Sequence, residues 1–335
     1  MAGRGSGHAD LGAGGTWARA YFSSRELDAR LPVRRLTYWL YAPAQAGKDR
    51  RTRLPLVVML HGCEQTAPDF AAGTRMNALA LQHGFAVLYP QQSAGAHSHR
   101  CWPWYKRSLQ RGGDEAALIG GAIEKVMLRP DIDHTRIYVA GLSAGAALAQ
   151  TVALQYPHLI AAIGSHSGPV YGVADSRMSA FSVMQHGSFD AARAATHFLA
   201  EHAHFPPMPI LILQGAQDHV VRPVNAAQLA NQFCTINGLS SADRGVPTVR
   251  AARGSCDAYS ITEYRRAGKT LLRLCEVRHL AHAWSGGDAS LRYNAANGPD
   301  ASTLLWNFFK RHRRLPGAAG GTARSILSAP AAGGS

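Results

Sequence analysis

No run of eighteen consecutive apolar residues occurs in the 335-residue sequence, so it offers no helical membrane span. It contains neither H-E-x-x-H nor C-x-x-C, so its sixteen histidines and five cysteines give no metal-site pattern, and no metal or organic cofactor is expected. Met1 to Gly15 has no continuous apolar stretch of the kind a secretory signal carries. Carboxylates are scarce: 21 Asp and Glu face 35 Lys and Arg, a net charge of +14. That excess could suit nucleic acid. The basic residues are mostly arginines spread along the whole chain, however, some of them in flanking runs such as Arg311, Arg313 and Arg314, and a solvated surface is expected instead, with no nucleic-acid partner. The five cysteines, Cys63, Cys101, Cys234, Cys256 and Cys275, are odd in number, so at least one is unpaired within the chain and sequence alone leaves the connectivity open.

Hydrophobic residues make up 46% of the chain, enough for one sizeable core. Residues 1–29 read as a poorly ordered N-terminal segment and the Gly/Ala/Pro/Ser-rich residues 315–335 as a disordered tail, which leaves 30–314 as one catalytic domain. Within it apolar runs alternate with helical patterns. Strands are expected over 36–41, 56–60, 85–89, 136–142, 160–163 and 209–214, and helices over 69–82 (N-cap Asp69), 114–128 (capped by Asp114), 144–156, 224–236 and 300–312. Residues 258–279 read as a hairpin or two adjacent strands turning at Ala267-Gly268-Lys269. Such alternation predicts an α/β fold with a mainly parallel central sheet covered by helices on both faces.

Gly141-Leu142-Ser143-Ala144-Gly145 is a G-x-S-x-G placed between an expected strand and an expected helix, the setting of the nucleophile elbow of the α/β-hydrolase fold. A serine hydroxyl is a weak nucleophile that needs an imidazole base held by a carboxylate. On this fold the chain order is Ser, acid, His. Asp218 suits the acid, since it follows the apolar strand Pro209 to Gln214 and a glycine turn, whereas Asp190, Asp257 and Asp288 lack such a strand. Two histidines compete for the base. His279 continues the last strand, and His282 sits in the loop beyond it between alanines and ahead of Gly286-Gly287, so His282 is expected to be the base. An oxyanion hole needs two N–H donors; Ala144, after the nucleophile, and Cys63, in His61-Gly62-Cys63 beyond the strand at 56–60, are the candidates. Trp102, Trp104 and Trp284 lie in loops where they could wall an ester-binding cleft, with core packing as the competing reading for Trp102 and Trp104.

Taken together, Leu60-His-Gly-Cys-Glu-Gln65, Ala78-Leu-Ala80, His83-Gly-Phe85, Tyr89-Pro90, Cys101-Trp-Pro-Trp104, Gly141-Leu-Ser-Ala-Gly145, His166-Ser-Gly168 and His282-Ala-Trp284 resemble the poly(3-hydroxybutyrate) depolymerase-type esterases, with their feruloyl and acetylxylan esterase relatives. The resemblance implies Ser143, Asp218 and His282 as a catalytic triad, Cys63 in the oxyanion loop, and an ester or polyester as the substrate. It also places Cys63 near Cys101, which implies a disulfide in an oxidising environment; two buried thiols in a reducing cytoplasm are the rival. Location divides the same way, extracellular by resemblance and cytoplasmic by the missing signal pattern. The stretch Arg177 to Pro207 lies where hydrolases of this fold often carry a cap. A catalytically inactive binding module is the reading from another class, disfavoured by the presence of all three triad residue types. The oligomeric state is left open.

Overall fold

A computed structural model describes residues 10–44, 53–254 and 256–314. Ten strands form one sheet: β1 (Gly15–Ser23), β2 (Arg35–Pro43), β3 (Leu54–Leu60), β4 (Ala86–Gln91), β5 (Ile132–Leu142), β6 (Ala162–His166), β7 (Ile210–Gly215), β8 (Thr248–Arg250), β9 (Tyr259–Arg266) and β10 (Lys269–Val277). Their order is β1-β2-β4-β3-β5-β6-β7-β10-β9-β8. The six strands from β4 to β10 in that order are parallel to their neighbours, and β1, β2, β9 and β8 add antiparallel margins. All seven residues of β3 are buried. Leu56, Val58 and Leu60 enter one apolar cluster and Val57 and Met59 the other, as the two-residue period requires of a strand covered on both faces.

Among the described residues ten helices accompany the sheet: α1 (Ser24–Leu27), α2 (Ala67–Thr74), α3 (Met76–His83), α4 (Arg107–Gln110), α5 (Asp114–Met127), α6 (Ala144–Gln155), α7 (Arg177–His186), α8 (Ala191–Glu201), α9 (Val224–Ile236) and α10 (Ala301–Phe309). Ile119 of α5, Leu148 of α6 and Phe233 of α9 belong to the first cluster. Phe70 of α2, Met76 of α3 and Phe309 of α10 belong to the second, so helices cover both faces. Among the described residues, no helix is long and apolar enough to cross a membrane. Residues 177–207 hold α7 and α8, the latter packed on α9.

Several expectations are corrected. The segment 1–29, read as poorly ordered, contains β1 and α1; β1 pairs along its full length with β2, and Phe22 seats in the core. The helix expected over 69–82 is two helices, because Arg75 adopts a left-handed conformation (φ 53°) between them. Its N-cap is Thr66, whose hydroxyl accepts from the Asp69 amide while Asp69 accepts in return from the Thr66 amide. Asp114 is the first residue of α5 and not its cap, with φ 52° and its carboxylate turned to Arg34 at 2.8 Å. The tail 315–335 lies outside the described residues.

Candidate active site

β5 ends at Leu142 and α6 begins at Ala144, so the chain must reverse at one residue, Ser143, which takes φ 58° and ψ −121°. Neighbouring backbone enforces the small residues on either side. A Cβ on Gly145 would lie 2.1 Å from the Leu60 carbonyl oxygen, and one on Gly141 would lie 2.4 Å from the Gly145 carbonyl carbon. The Ser143 amide donates to the His166 carbonyl at 2.9 Å, which ties the elbow to β6.

Asp218 and His282 meet beside this edge because β7 and β10 are parallel neighbours and end together. The two following loops are stitched by Ala216 N–H to the Val277 carbonyl (2.8 Å) and Gln217 N–H to the Leu280 carbonyl (3.1 Å). His282 Nδ1 lies 2.7 Å from Asp218 Oδ2, and Asp218 Oδ1 accepts from the amides of Val220 (2.9 Å) and Val221 (2.8 Å). Burial of Asp218 opposes its ionisation, but the bond from His282 and those two amides outweigh it and hold the carboxyl below the usual aspartate range. The competing His279 pairs with Asp257 at 2.8 Å, and its side chain is 54% exposed.

Beyond β3, the oxyanion-loop candidate is built by a buried histidine. His61 Nε2 accepts from the Gln92 amide at 3.1 Å, which leaves the proton on Nδ1 to bond the Gly62 carbonyl at 2.7 Å. Burial lowers His61 to about 4, so the ring is neutral. The Gly62 amide is taken by Gln65 Oε1 at 2.9 Å, whereas the Cys63 amide has no partner among the described residues. A Cβ on Gly62 would stand 3.7 Å from that of Ser143, so this loop lies against the elbow. Cys63 and Cys101 form a disulfide across 38 residues, and Cys234, Cys256 and Cys275 are free. The Ala144 amide opens α6 and is one of its unsatisfied N-terminal donors.

The three tryptophans do not wall an open cleft. Trp102 is fully buried, its indole N–H donating to the His61 carbonyl at 2.9 Å, and Trp104 is buried beside it in the core. Trp284 is likewise buried, stacked on His166 with ring centroids 5.1 Å apart and bonded to Ser302. An indole whose one donor is satisfied inside the protein is a brace for its loop. Sequence reasoning also gave His166 no role, although the motif His166-Ser-Gly168 marked it. Its Nε2 accepts from the Ser285 amide at 3.2 Å, so it links the elbow's support to the loop beyond His282. Burial, with the nearby His282 as a smaller cause, lowers it to about 3.

A mainly parallel sheet covered on both faces, with a serine at positive φ in the elbow at the end of a central strand, defines the α/β-hydrolase class. An acetyl xylan esterase from Aspergillus awamori shares this fold, with a TM-score of 0.66 at 18% identity over 82% of this chain and 94% of that one. Within the class, the chain belongs to the esterase PHB depolymerase family, whose model matches residues 36–254. It is 37% identical over 190 residues to a poly(3-hydroxyalkanoate) depolymerase C of Paucimonas lemoignei, covering 55% of this chain and 45% of that protein. A feruloyl esterase B of Neurospora crassa is 28% identical over 215 residues, 59% of this chain and 70% of that protein. The chain therefore spans less than half the length of the depolymerase it matches.

Proposed function

We propose that the protein hydrolyses carboxylic esters through an acyl-enzyme on Ser143. Ser143 Oγ attacks the ester carbonyl as His282 Nε2 takes its proton. The amides of Cys63 and Ala144 receive the developing oxyanion. Collapse breaks the carbonyl–alkoxy bond, and the alkoxide leaves with the proton from His282. Water then repeats the sequence on the acyl-enzyme and releases the acid. Asp218 holds His282 with its proton on Nδ1, which keeps Nε2 free as the base. The observation that carries this reading is the 2.7 Å contact between buried Asp218 and His282, beside an elbow that presents Ser143.

For the substrate we infer a hydroxyalkanoate polyester or its oligomers, in keeping with the family. Exposed apolar side chains near the site support it. Met178 is 84% exposed and Phe181 63% on α7, the helix whose Gln185 bonds the carbonyls of His219 and Val220 in the Asp218 loop. Such side chains suit an apolar polymer surface. The second reading, an ester of a plant polysaccharide, is favoured by the feruloyl esterase relative. A hydrolysis panel separates the two: hydroxybutyrate oligomers and solid polyester against feruloyl and acetyl sugar esters. Higher kcat/KM on the oligomers supports the first reading, and higher kcat/KM on the sugar esters replaces it with the second.

A further inference from the structure

A cavity of about 310 Å³ lies at the opposite edge of the sheet from Ser143. Pro209, just before β7, and Ala161, just before β6, line it, whereas Asp218 follows the far end of β7. The six residues of β7 separate the two by roughly 20 Å at about 3.3 Å per residue. Its size falls within the range of about 300–1,000 Å³ typical of small-molecule pockets. The wall is apolar, with Ile160, Met208 and Leu271 beside Pro206, Pro207 and Pro209.

The rim has one sign of charge. Arg266, Lys269, Arg311, Arg313 and Arg314 line the cavity, and no carboxylate does. Arg266 and Arg313 have distant acidic partners, Asp243 at 3.7 Å and Asp133 at 3.6 Å, but Lys269 and Arg311 make no ion pair among the described residues. His312, also in the lining, is 92% buried by its 8% exposure and leaves its ring Nε2 without a hydrogen-bond partner. A buried polar atom left unpaired costs free energy. Burial and the neighbouring cations Arg273, Lys269 and Arg311 lower His312 to about 4, so it stands there as a neutral ring.

We propose that this cavity binds an amphipathic carboxylate, its apolar chain against Ile160, Met208 and Leu271 and its carboxylate at Lys269 and Arg311. A neutral apolar molecule would leave the cations unanswered, and a small inorganic anion would leave the apolar wall wet. The inference stands apart from ester hydrolysis, and its test is made without the nucleophile.

Ser143→Ala protein of the whole 335-residue chain titrated with octanoate in a calorimeter should show saturable one-to-one binding, with acetate and octanol each at least about tenfold weaker. Lys269→Glu combined with Arg311→Glu should weaken octanoate by at least about tenfold, the loss of two charge-assisted contacts. In protein with labelled methionine methyls and both cations intact, octanoate should shift Met208 and leave Met178 in place. That readout decides the matter even if the double variant does not fold. Absence of saturable binding, octanol binding as tightly as octanoate, indifference to the charge reversal, or a shift at Met178 without one at Met208 would each overturn the proposal.

Discussion

Lowering the pH from 8 to 5 should cost the folded protein several kcal/mol before any carboxylate titrates. His61 and His166 are fully buried and held neutral, at about 4 and about 3, and His312 is held at about 4. In the unfolded chain each returns to about 6.5. Because the folded values are depressed, the stabilisation is complete above pH 6.5 and is lost as the pH falls toward the folded values. At pH 5 the unfolded chain takes up nearly one more proton per histidine than the folded one. Each therefore costs about 2 kcal/mol, from roughly 1.5 pH units at 1.36 kcal/mol per unit, and the three together about 6 kcal/mol. That is a large share of a typical stability of about 5–15 kcal/mol. Asp218, whose folded value is lowered, has its stabilisation intact down to about pH 4 and stays outside the window. Urea unfolding followed by tryptophan fluorescence at constant ionic strength, at unit steps from pH 8 to pH 5, reads the difference. His312→Phe keeps a ring against Phe308 and should remove about 2 kcal/mol of the pH dependence. A stability that changes by less than about 1 kcal/mol, or that rises toward pH 5, would refute the neutral-histidine account.

Gly145→Ala should destabilise the fold by about 3 kcal/mol or more, since its Cβ meets backbone oxygens of Leu60 and His61 at 2.1 and 2.5 Å, and should cut kcat by roughly 10²-fold as the elbow shifts. Thermal melts and ester turnover check both, and wild-type values in each would contradict the packing of the elbow. Cys63→Ser combined with Cys101→Ser should lose about 4 kcal/mol, the chain entropy of a loop closed across 38 residues, in denaturant titrations of oxidised protein. His282→Ala should lower kcat by roughly 10³-fold or more, whereas His279→Ala, whose partner is Asp257, should leave turnover within a few-fold of wild type. Steady-state rates showing the reverse order would move the base to His279.

The elements that place the candidate triad were legible because each has a strong local signal. The apolar run before Asp218 marks a buried strand, and the glycines around Ser143 and the turn at Ala267-Gly268-Lys269 mark chain reversals that only a few residue types tolerate. Helix α9 begins and ends where its apolar period does. β1 was illegible because only Phe22 of its nine residues is buried, so an edge strand held by backbone bonds to β2 carries little hydrophobic alternation. The break falls on Arg75, a residue type that does not announce a left-handed turn, while the nearby Gly73 lies inside α2. The tryptophans and the buried histidines were misjudged or missed for one reason: His61 and His166 act through bonds to residues 31 and 119 positions away, a pairing that exists only after the sheet assembles.

The most direct test of the account is where an acylating or phosphonylating active-site reagent becomes attached. After treatment with a fluorophosphonate, mass spectrometry of the digested protein should find one adduct, on Ser143, formed in step with the loss of ester turnover, and neither adduct nor turnover should survive in Ser143→Ala. An adduct on another residue that tracks the loss of activity, or near-normal turnover by a folded Ser143→Ala protein, would contradict it.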